Sequence, residues 1–520
     1  MVVFLEVFFM IVVTVAIVFL LTMALYNIAL VLTYRAKRGP DPEPAALFSD
    51  ADLPKVTVQL PVYNEGTLAE QCLRLAAALD YPGDKLEIQY LDDSDDETTS
   101  EIGKAAVEKL RKEYPDITFQ YLRRGNRHGF KAGALLYGTE RATGEYMAIF
   151  DADFIIPPDF LRKTIHFFTD PGVGAVQARW DYVNEGKSLF TRLQANKLDA
   201  HQMFEQTARA RSGRPVIFHG TAGVWRASAL AEAGGWDCMS EVEDVEITVR
   251  ATLAGWRVVY LDNFRLLSEL PETINGFLRQ QMRWRRGWSR VTAHYSGLIL
   301  RGDIPWRNKL DLLLRIHLTW GPIGALIMIL SVLPYFSIAA KYGLSLPATL
   351  LYTSGLVISL VTRHFEQKTL IEDPNARAPI ALHPLLKFLP LNYLLFSMGT
   401  LWPLTQATFE GFWQKPVWEV TPKSGTTANS PGHHALIKSR RLPGYVIGTL
   451  GLGALGAGLA LYSAWSGFFL AGIFYVMLAI GCGYIGILLL RFFGYNLGFP
   501  PASAPPPGPK GQPPLPGRTT

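Results

Sequence analysis

The sequence predicts an α/β domain with a doubly wound, largely parallel sheet, set between membrane-spanning helices. Three observations carry this reading. Between Val56 and Phe150, short β-branched runs alternate with helical patterns. Apolar stretches long enough to cross a bilayer stand at the N-terminus and again after residue 307. The composition, 49% hydrophobic and 18% charged, averages over a polar part and an apolar part of quite different character.

With 520 residues the chain has room for one soluble domain plus a membrane part. A formal net charge of +5 is too small to argue for a nucleic-acid partner, and the basic residues cluster beside apolar segments instead. Cys72, Cys238 and Cys482 lie far apart and offer neither a metal spacing nor a disulfide framework.

Residues 1–34 are almost wholly apolar, with Glu6 the sole charge from Val2 to Leu32. The stretch is longer than a signal peptide's apolar region and lacks its basic start, so it reads as a tilted spanning helix. Arg35, Lys37 and Arg38 follow at once and put the next segment in the cytoplasm. Residues 35–54 read as a linker containing proline and acidic residues.

Residues 55–272 carry the α/β pattern. Strands are expected at Val56–Leu60, Leu86–Leu91, Ile117–Leu122 and Tyr146–Phe150, and helices at Leu68–Leu79, Thr98–Lys112 and Lys131–Ala142. Sheets of this kind bind ligands beyond the carboxyl ends of their strands. Those ends are polar: Tyr63-Asn64-Glu65, Asp92 through Asp96, and Asp151-Ala152-Asp153. Packing needs no carboxylates there, and neighbouring carboxylates repel unless a cation compensates. Asp151 and Asp153 would point to one side of an extended chain, which suits Mg²⁺ or Mn²⁺, hard cations that share their oxygen ligands with phosphates. Asp95 and Asp96 serve equally well as acids at the start of the next helix.

Gly125 to Gly133 is a glycine-rich basic loop that opens a helix. Its backbone donors and Lys131 could cradle a diphosphate. The glycine spacing is neither that of a P-loop nor that of a dinucleotide fingerprint. Ser188–Ala210 reads as a helix, with His201 and Glu205 one turn apart as a surface or packing pair. Phe218–Arg226 holds Gly220 and Gly223, which permit close approach of backbone to a ligand. Asp244 stands ahead of the helical pattern Val245–Leu253, either as a helix cap or as a general base.

Ile274 to Arg290 packs five arginines and two tryptophans into seventeen residues. Arg279, Arg283 and Arg286 recur at helical spacing, as do Phe277, Trp284 and Trp288, giving a helix suited to a membrane surface. Within it, Gln280, Arg283 and Trp284 form a Q-x-x-R-W motif.

Taken together, LDDSDDET, KAGAL, GTAGVWR, AGGW, VEDVEITVRATLAGW and ELPETINGFLRQQMRW resemble the membrane-integrated family 2 glycosyltransferases of the cellulose synthase superfamily. The resemblance is strongest to the cellulose-synthase-like mannan and glucan synthases and runs from about Val56 to Trp288. It implies a GT-A (Rossmann-like) fold on the cytoplasmic side. It implies nucleotide contacts at Glu65 and Asp93, with Asp92 sharing that role, and a metal pair at Asp151 and Asp153. It further implies Asp244 as base and Gln280, Arg283 and Trp284 as the acceptor-side motif, Trp284 under the terminal sugar and Arg283 near the diphosphate. Two positions depart from the family pattern: Val242 opens the usual threonine-glutamate-aspartate triplet, and His219 stands where asparagine or cysteine is usual before Gly-Thr.

Residues 273–307 read as interfacial, and residues 308–364 as two spans, Leu312–Ile338 and Leu346–Val361. Residues 365–413 include Leu385–Phe412, which is apolar but interrupted by Pro390 and Pro403 and reads as interfacial or re-entrant. A further span would put the basic loop 414–443 outside, against the positive-inside rule. Tyr445–Trp465 and Phe468–Leu490, within residues 444–492, complete five spans, and the Pro-rich tail 493–520 is expected to be disordered. Trp418 to Lys423 resembles the F-x-V-T-x-K gating loop of processive synthases, which implies that Thr421 and Lys423 close over bound nucleotide.

The function expected from this reading is processive, inverting, metal-dependent transfer from GDP-mannose or UDP-glucose. The partners are a growing glycan, which would be extended and moved across the lipid bilayer of a plasma or Golgi membrane, and no nucleic acid. Trp320, Tyr335 and Trp402 either line the sugar's path or pack within the membrane part. A glycosyltransferase adding one or few sugars to a lipid acceptor would share every catalytic motif. A non-catalytic transporter or receptor would be expected to have lost at least one of Asp151, Asp153, Asp244 and Arg283.

Overall fold

The structure, a computed structural model, describes residues 1–372, 389–416, 442–493 and 495. The chain opens with helix α1, Val2–Lys37, whose 36 residues exceed what a bilayer core requires and whose last turn holds Arg35 and Lys37.

The α/β domain then alternates as the hydrophobic pattern requires: β1 (Val56–Val62), α2 (Gly66–Ala77), β2 (Leu86–Asp92), α3 (Glu97–Glu113), β3 (Thr118–Arg123), α4 (Phe130–Thr139) and β4 (Tyr146–Ile149). Every residue of β2 is buried and all but one of β1, as expected of strands covered on both faces. After β4 come α5 (Phe160–Thr164), β5 (Val173–Tyr182), α6 (Leu189–Asp199), a π-helical turn (Ala200–Gln206), α7 (Thr207–Arg211), β6 (Gly223–Arg226), α8 (Ala227–Glu232), α9 (Glu243–Leu253) and β7 (Arg257–Ser268).

The seven strands form one sheet in the order β3-β2-β1-β4-β6-β5-β7. Pairing is parallel from β3 through β4 and again between β5 and β7, while β6 runs antiparallel to both of its neighbours. The order reverses around β1, so the carboxyl ends of β1, β2 and β4 share one edge, where α/β sheets hold ligands. Buried polar residues inside the sheet are paired. Glu87 accepts from the Thr57 hydroxyl at 2.5 Å and from the Thr143 N–H at 2.8 Å.

The linker after α1 is tied to the domain: the Asp41 carboxylate accepts backbone N–H groups of Asp262 at 2.7 Å and Phe264 at 3.2 Å, closing it onto β7. One expectation is corrected. The strand before Asp151 ends at Ile149, and residues 151–154 form a turn closed by the Phe154 N–H on the Asp151 carbonyl at 3.0 Å. Asp151 and Asp153 are therefore presented by a tight turn and not by extended chain.

Helix α10, Ile274–Arg301, joins the two parts of the molecule. Thr273 caps it by accepting the Gly276 N–H at 3.1 Å, and no proline interrupts its 28 residues. Phe277 and Leu278 pack with Val446, Ile485 and Leu489 of the last two helices. Val291, Tyr295 and Ile299 pack with Val245 and Val249 of α9 and with Leu312 and Ile316. The remaining helices are α11 (Trp306–His317), α12 (Gly321–Lys341), α13 (Ser345–Glu372), α14 (Leu389–Gly399), α15 (Leu401–Trp413), α16 (Gly444–Trp465) and α17 (Phe469–Phe492). Among the described residues five helical stretches are long and apolar enough to cross a membrane, as a multi-pass membrane protein requires.

A buried ionic cluster fixes α1 to the α/β domain. Tyr26 donates to Asp311 at 2.8 Å, and Arg209, fully buried, meets Asp311 at 2.9 Å and Glu205 at 3.3 Å. Trp320, Tyr335 and Trp402 are packing residues: Trp320 lies against Phe412, Tyr335 is buried against Tyr352, and the Trp402 indole fills the space beside Gly448.

Candidate active site

One cavity of about 530 Å³ opens at the carboxyl ends of β1, β2 and β4 and runs beneath α10 toward the apolar helices. Its walls gather most of the residues that the sequence singles out. Glu65, Asp93, Lys131, Asp151, Asp153 and Asp244 line it from the α/β domain, and Gln280, Arg283 and Trp284 of α10 line it from above.

The turn after β1 places Glu65 ahead of α2 through Asn64, whose φ is +57°. Asp93 is held by Arg124 through two hydrogen bonds of 2.6 and 2.5 Å. Arg127 stacks its guanidinium over the Tyr63 ring at 3.2 Å and faces the same end of the cavity. Asp92 is not brought to this wall. It is 1% exposed, its carboxylate accepting from the Tyr121 hydroxyl at 2.5 Å and the Ser94 N–H at 2.9 Å, so it braces the turn after β2. Asp96 caps α3 by accepting the Thr98 N–H at 3.2 Å.

Lys131 is placed by the left-handed turn at Gly129, φ +69°, where a side chain would collide with Cys238. Its ammonium meets Asp151, donates to the Gly220 carbonyl at 3.0 Å and lies 3.8 Å from Glu243. Burial pulls the Lys131 pKa down, and the carboxylates of Asp151 and Glu243 more than reverse this, leaving it raised. Glu243 and Asp244 open α9. Burial, and then the Glu243 carboxylate beside it, push the Asp244 carboxyl up to about 7. Burial lowers the Arg283 pKa against the pull of Glu243, Asp151, Glu241 and Asp244, all of which it faces.

Asn64, Phe130 and Ala222 are the described non-glycine residues with positive φ, and Asn64 and Phe130 directly adjoin residues that line this cavity. Among the described residues no group of three or more His, Cys, Asp or Glu side chains is set to enclose a metal ion. Asp151 and Asp153 supply carboxylates on one turn, the donor set a hard cation uses when its other oxygens come from phosphates and water. These residues fit such an ion.

The family description "Glycosyltransferase like family 2" matches residues 54–287, the stretch that builds this cavity. The probable glucomannan 4-beta-mannosyltransferase 3 of Arabidopsis thaliana is 34% identical over 394 residues, covering 74% of this chain and 67% of that protein.

The chain belongs to glycosyltransferase family 2.

Glucomannan 4-beta-mannosyltransferase 7 of Arabidopsis thaliana is 41% identical over 257 residues, 49% of this chain and 46% of that protein. The chain thus spans about half the length of this relative, and the similarity to the cellulose-synthase-like branch holds. A mannosyltransferase from Pyrobaculum calidifontis, solved in complex with GDP-Man and Mn²⁺, shares the fold with a TM-score of 0.51 and 23% identity. It covers 77% of this chain and 99% of that one.

For this family 2 chain, Trp418 to Lys423, including Thr421 and Lys423, lie outside the described residues. Sequence reasoning missed Arg127, Glu243 and the arginines that serve Asp93 and Glu205. Arg127 sits in the basic loop already noted, and its neighbour Tyr63 in the polar turn after β1 was the available signal. Glu205 is no surface residue: with His201 at 2.6 Å and Arg315 at 2.5 Å it forms the cavity's membrane-side wall, which only the tertiary fold assembles.

Proposed function

We propose that this chain is a processive, inverting mannosyltransferase that extends a β-1,4-linked mannan or glucomannan from GDP-mannose and passes it into the membrane. The observation that carries the reading is the continuity of the cavity. It reaches from Asp93 and Lys131, past Asp244 and Trp284, to Asn27 of α1 and Glu366 of α13. A single-transfer enzyme has no use for an extension among its own membrane helices. The relatives named as glucomannan 4-beta-mannosyltransferases favour mannose over the glucose that the sequence left open. The positive residues closing α1 favour a cytoplasmic catalytic domain.

In this reading Glu65, Asp93, Arg127 and Tyr63 receive the nucleotide, and Lys131 and Arg283 face its diphosphate. A divalent cation bound by Asp151 and Asp153 would neutralise charge on the leaving diphosphate. Asp244 takes the proton from the acceptor's attacking hydroxyl while that oxygen bonds to the sugar's anomeric carbon from the face opposite the nucleotide. The bond to the diphosphate oxygen breaks in the same displacement, which inverts the anomeric centre. A carboxyl pushed up to about 7 is matched to accepting that proton near neutral pH. Trp284, on the α10 wall of the cavity, offers an aromatic face to the acceptor.

The test is the product's identity. Full-length protein in lipid nanodiscs, given GDP-mannose or UDP-glucose with Mn²⁺, should make material digested by a β-1,4-mannanase from the first donor only. A β-glucanase-sensitive product from UDP-glucose would overturn the choice of sugar.

A further inference from the structure

The cavity wall holds one imidazole that the proposed chemistry leaves unused. His219 precedes Gly220, lines the cavity and is 9% exposed. Its surroundings decide which ring nitrogen carries the proton. Gln206 Nε2 donates to the Ile217 carbonyl at 2.7 Å, and Gln206 Oε1 accepts the Ile217 N–H at 3.4 Å. This exchange orients the amide, so the second N–H of Gln206 Nε2 meets His219 Nε2. Two N–H groups cannot bond to one another, so His219 Nε2 is the acceptor. Burial, with His201 and Arg315 nearby and against Glu205, pushes the His219 pKa well below its usual value, and the ring is neutral. Its single proton is therefore on Nδ1.

Nδ1 is buried and has no hydrogen-bond partner among the described residues. An N–H in that position is costly unless something accepts from it. The Trp180 ring stands edge-on to His219, with ring centres 5.4 Å apart, and its Nε1 also has no partner among the described residues. Trp180 lines the same cavity. Two neutral donors set among aromatic edges suit the oxygens of an uncharged sugar and not a phosphate, which the charged donors Arg127 and Lys131 serve better. Their position supports the acceptor and not the donor. The His219 ring packs against His201, which meets Glu205, itself paired with Arg315 of α11 beside the Tyr26–Asp311 contact that ties in α1. Arg127 stands instead with Tyr63 at the end of β1, and Lys131 lies between the two groups, donating to the Gly220 carbonyl.

We propose that His219 is a specificity-determining residue of the acceptor subsite, its Nδ1–H donating to an oxygen of the sugar unit that carries the attacking hydroxyl. The Trp180 indole N–H is available to a second oxygen of the same unit. The proposal rests on the glycosyl-transfer reading given above.

The test uses the full chain in nanodiscs with GDP-mannose, Mn²⁺ and a short β-1,4-manno-oligosaccharide as acceptor. His219→Phe keeps a ring and removes both nitrogens, and His219→Asn restores a neutral N–H. For His219→Phe the acceptor KM should rise about tenfold. The GDP-mannose KM, and the slow release of mannose to water, should stay within about twofold of wild type on the same grounds, because neither needs the acceptor subsite. His219→Asn should recover part of the acceptor affinity. An unchanged acceptor KM in His219→Phe overturns the proposal alone. So does a parallel loss of donor affinity and thermal stability in both variants, which would mark a structural role. A wild type that neither binds nor extends the oligosaccharide sinks the functional reading, and this proposal with it.

Discussion

A β-carbon on Gly220 would stand 3.2 Å from Asp244 Oδ2, and Gly220 itself has a φ of +78°. The loop leading into β6 therefore touches the proposed base with bare backbone. Gly220→Ala combines a left-handed strain of roughly 1–2 kcal/mol with displacement of that carboxylate. Transfer should fall by roughly tenfold to a hundredfold, since misplacing a catalytic group by about 1 Å costs that much. Affinity for GDP should hold, measured by calorimetry on the same preparation.

Asp244→Asn should lower transfer by roughly a hundredfold to ten-thousandfold, the usual contribution of a positioned base. The pH profile gives the sign. Below about 7 the group holds its proton and cannot accept another; above it the carboxylate is available. Wild-type rate should therefore climb through about pH 7 and level off, and the variant's residual rate should lack that limb. A carboxyl whose folded pKa lies above its unfolded value stabilises the fold at low pH and loses that contribution as pH rises through the folded value. Asp244→Asn should accordingly raise the melting temperature at pH 8 more than at pH 5.

Asp151→Ala and Asp153→Ala test the cation site. Nucleotide affinity should drop roughly tenfold or more in either variant, and EDTA should then have no further effect. Wild-type affinity that survives chelation would remove the metal from the account. Lys131 complicates a simple charge count, because removing Asp151 also frees the ammonium it meets.

Much of this arrangement was legible in the sequence, and the limits are physical. The alternation from Val56 to Ile149 could be read because strands buried on both faces are continuous apolar runs. Polar residues at their carboxyl ends then marked the cavity. The second half of the sheet was not readable: β6 has only four residues and pairs antiparallel between strands distant in sequence. Asp92 looked equivalent to Asp93 in a run of acids, yet neighbouring strand residues face opposite ways, and Asp92 turns inward to Tyr121. The unbroken α10 followed from its amphipathic period, whereas its partners Glu241 and Glu410 are set by packing alone.

The buried cluster around Asp311 is expected to matter for stability far more than surface pairs do. Asp311→Asn leaves Arg209, fully buried, with a weakened partner and should cost about 3–5 kcal/mol. The exposed Arg123–Glu97 pair, at 2.8 Å, is the control: Glu97→Gln should leave the melting temperature essentially unchanged, because solvent screens the pair. Thermal denaturation in detergent compares the two directly.

The most direct measurement of the central claim is the size of the product made from labelled GDP-mannose by the purified, membrane-reconstituted chain with Mn²⁺. Processive synthesis through the continuous cavity predicts long polymer from the earliest turnovers, with few short intermediates, and roughly a hundredfold less product or lower still from Asp244→Asn. A product of one or two sugars that extracts into organic solvent would contradict it and make the chain a glycolipid synthase.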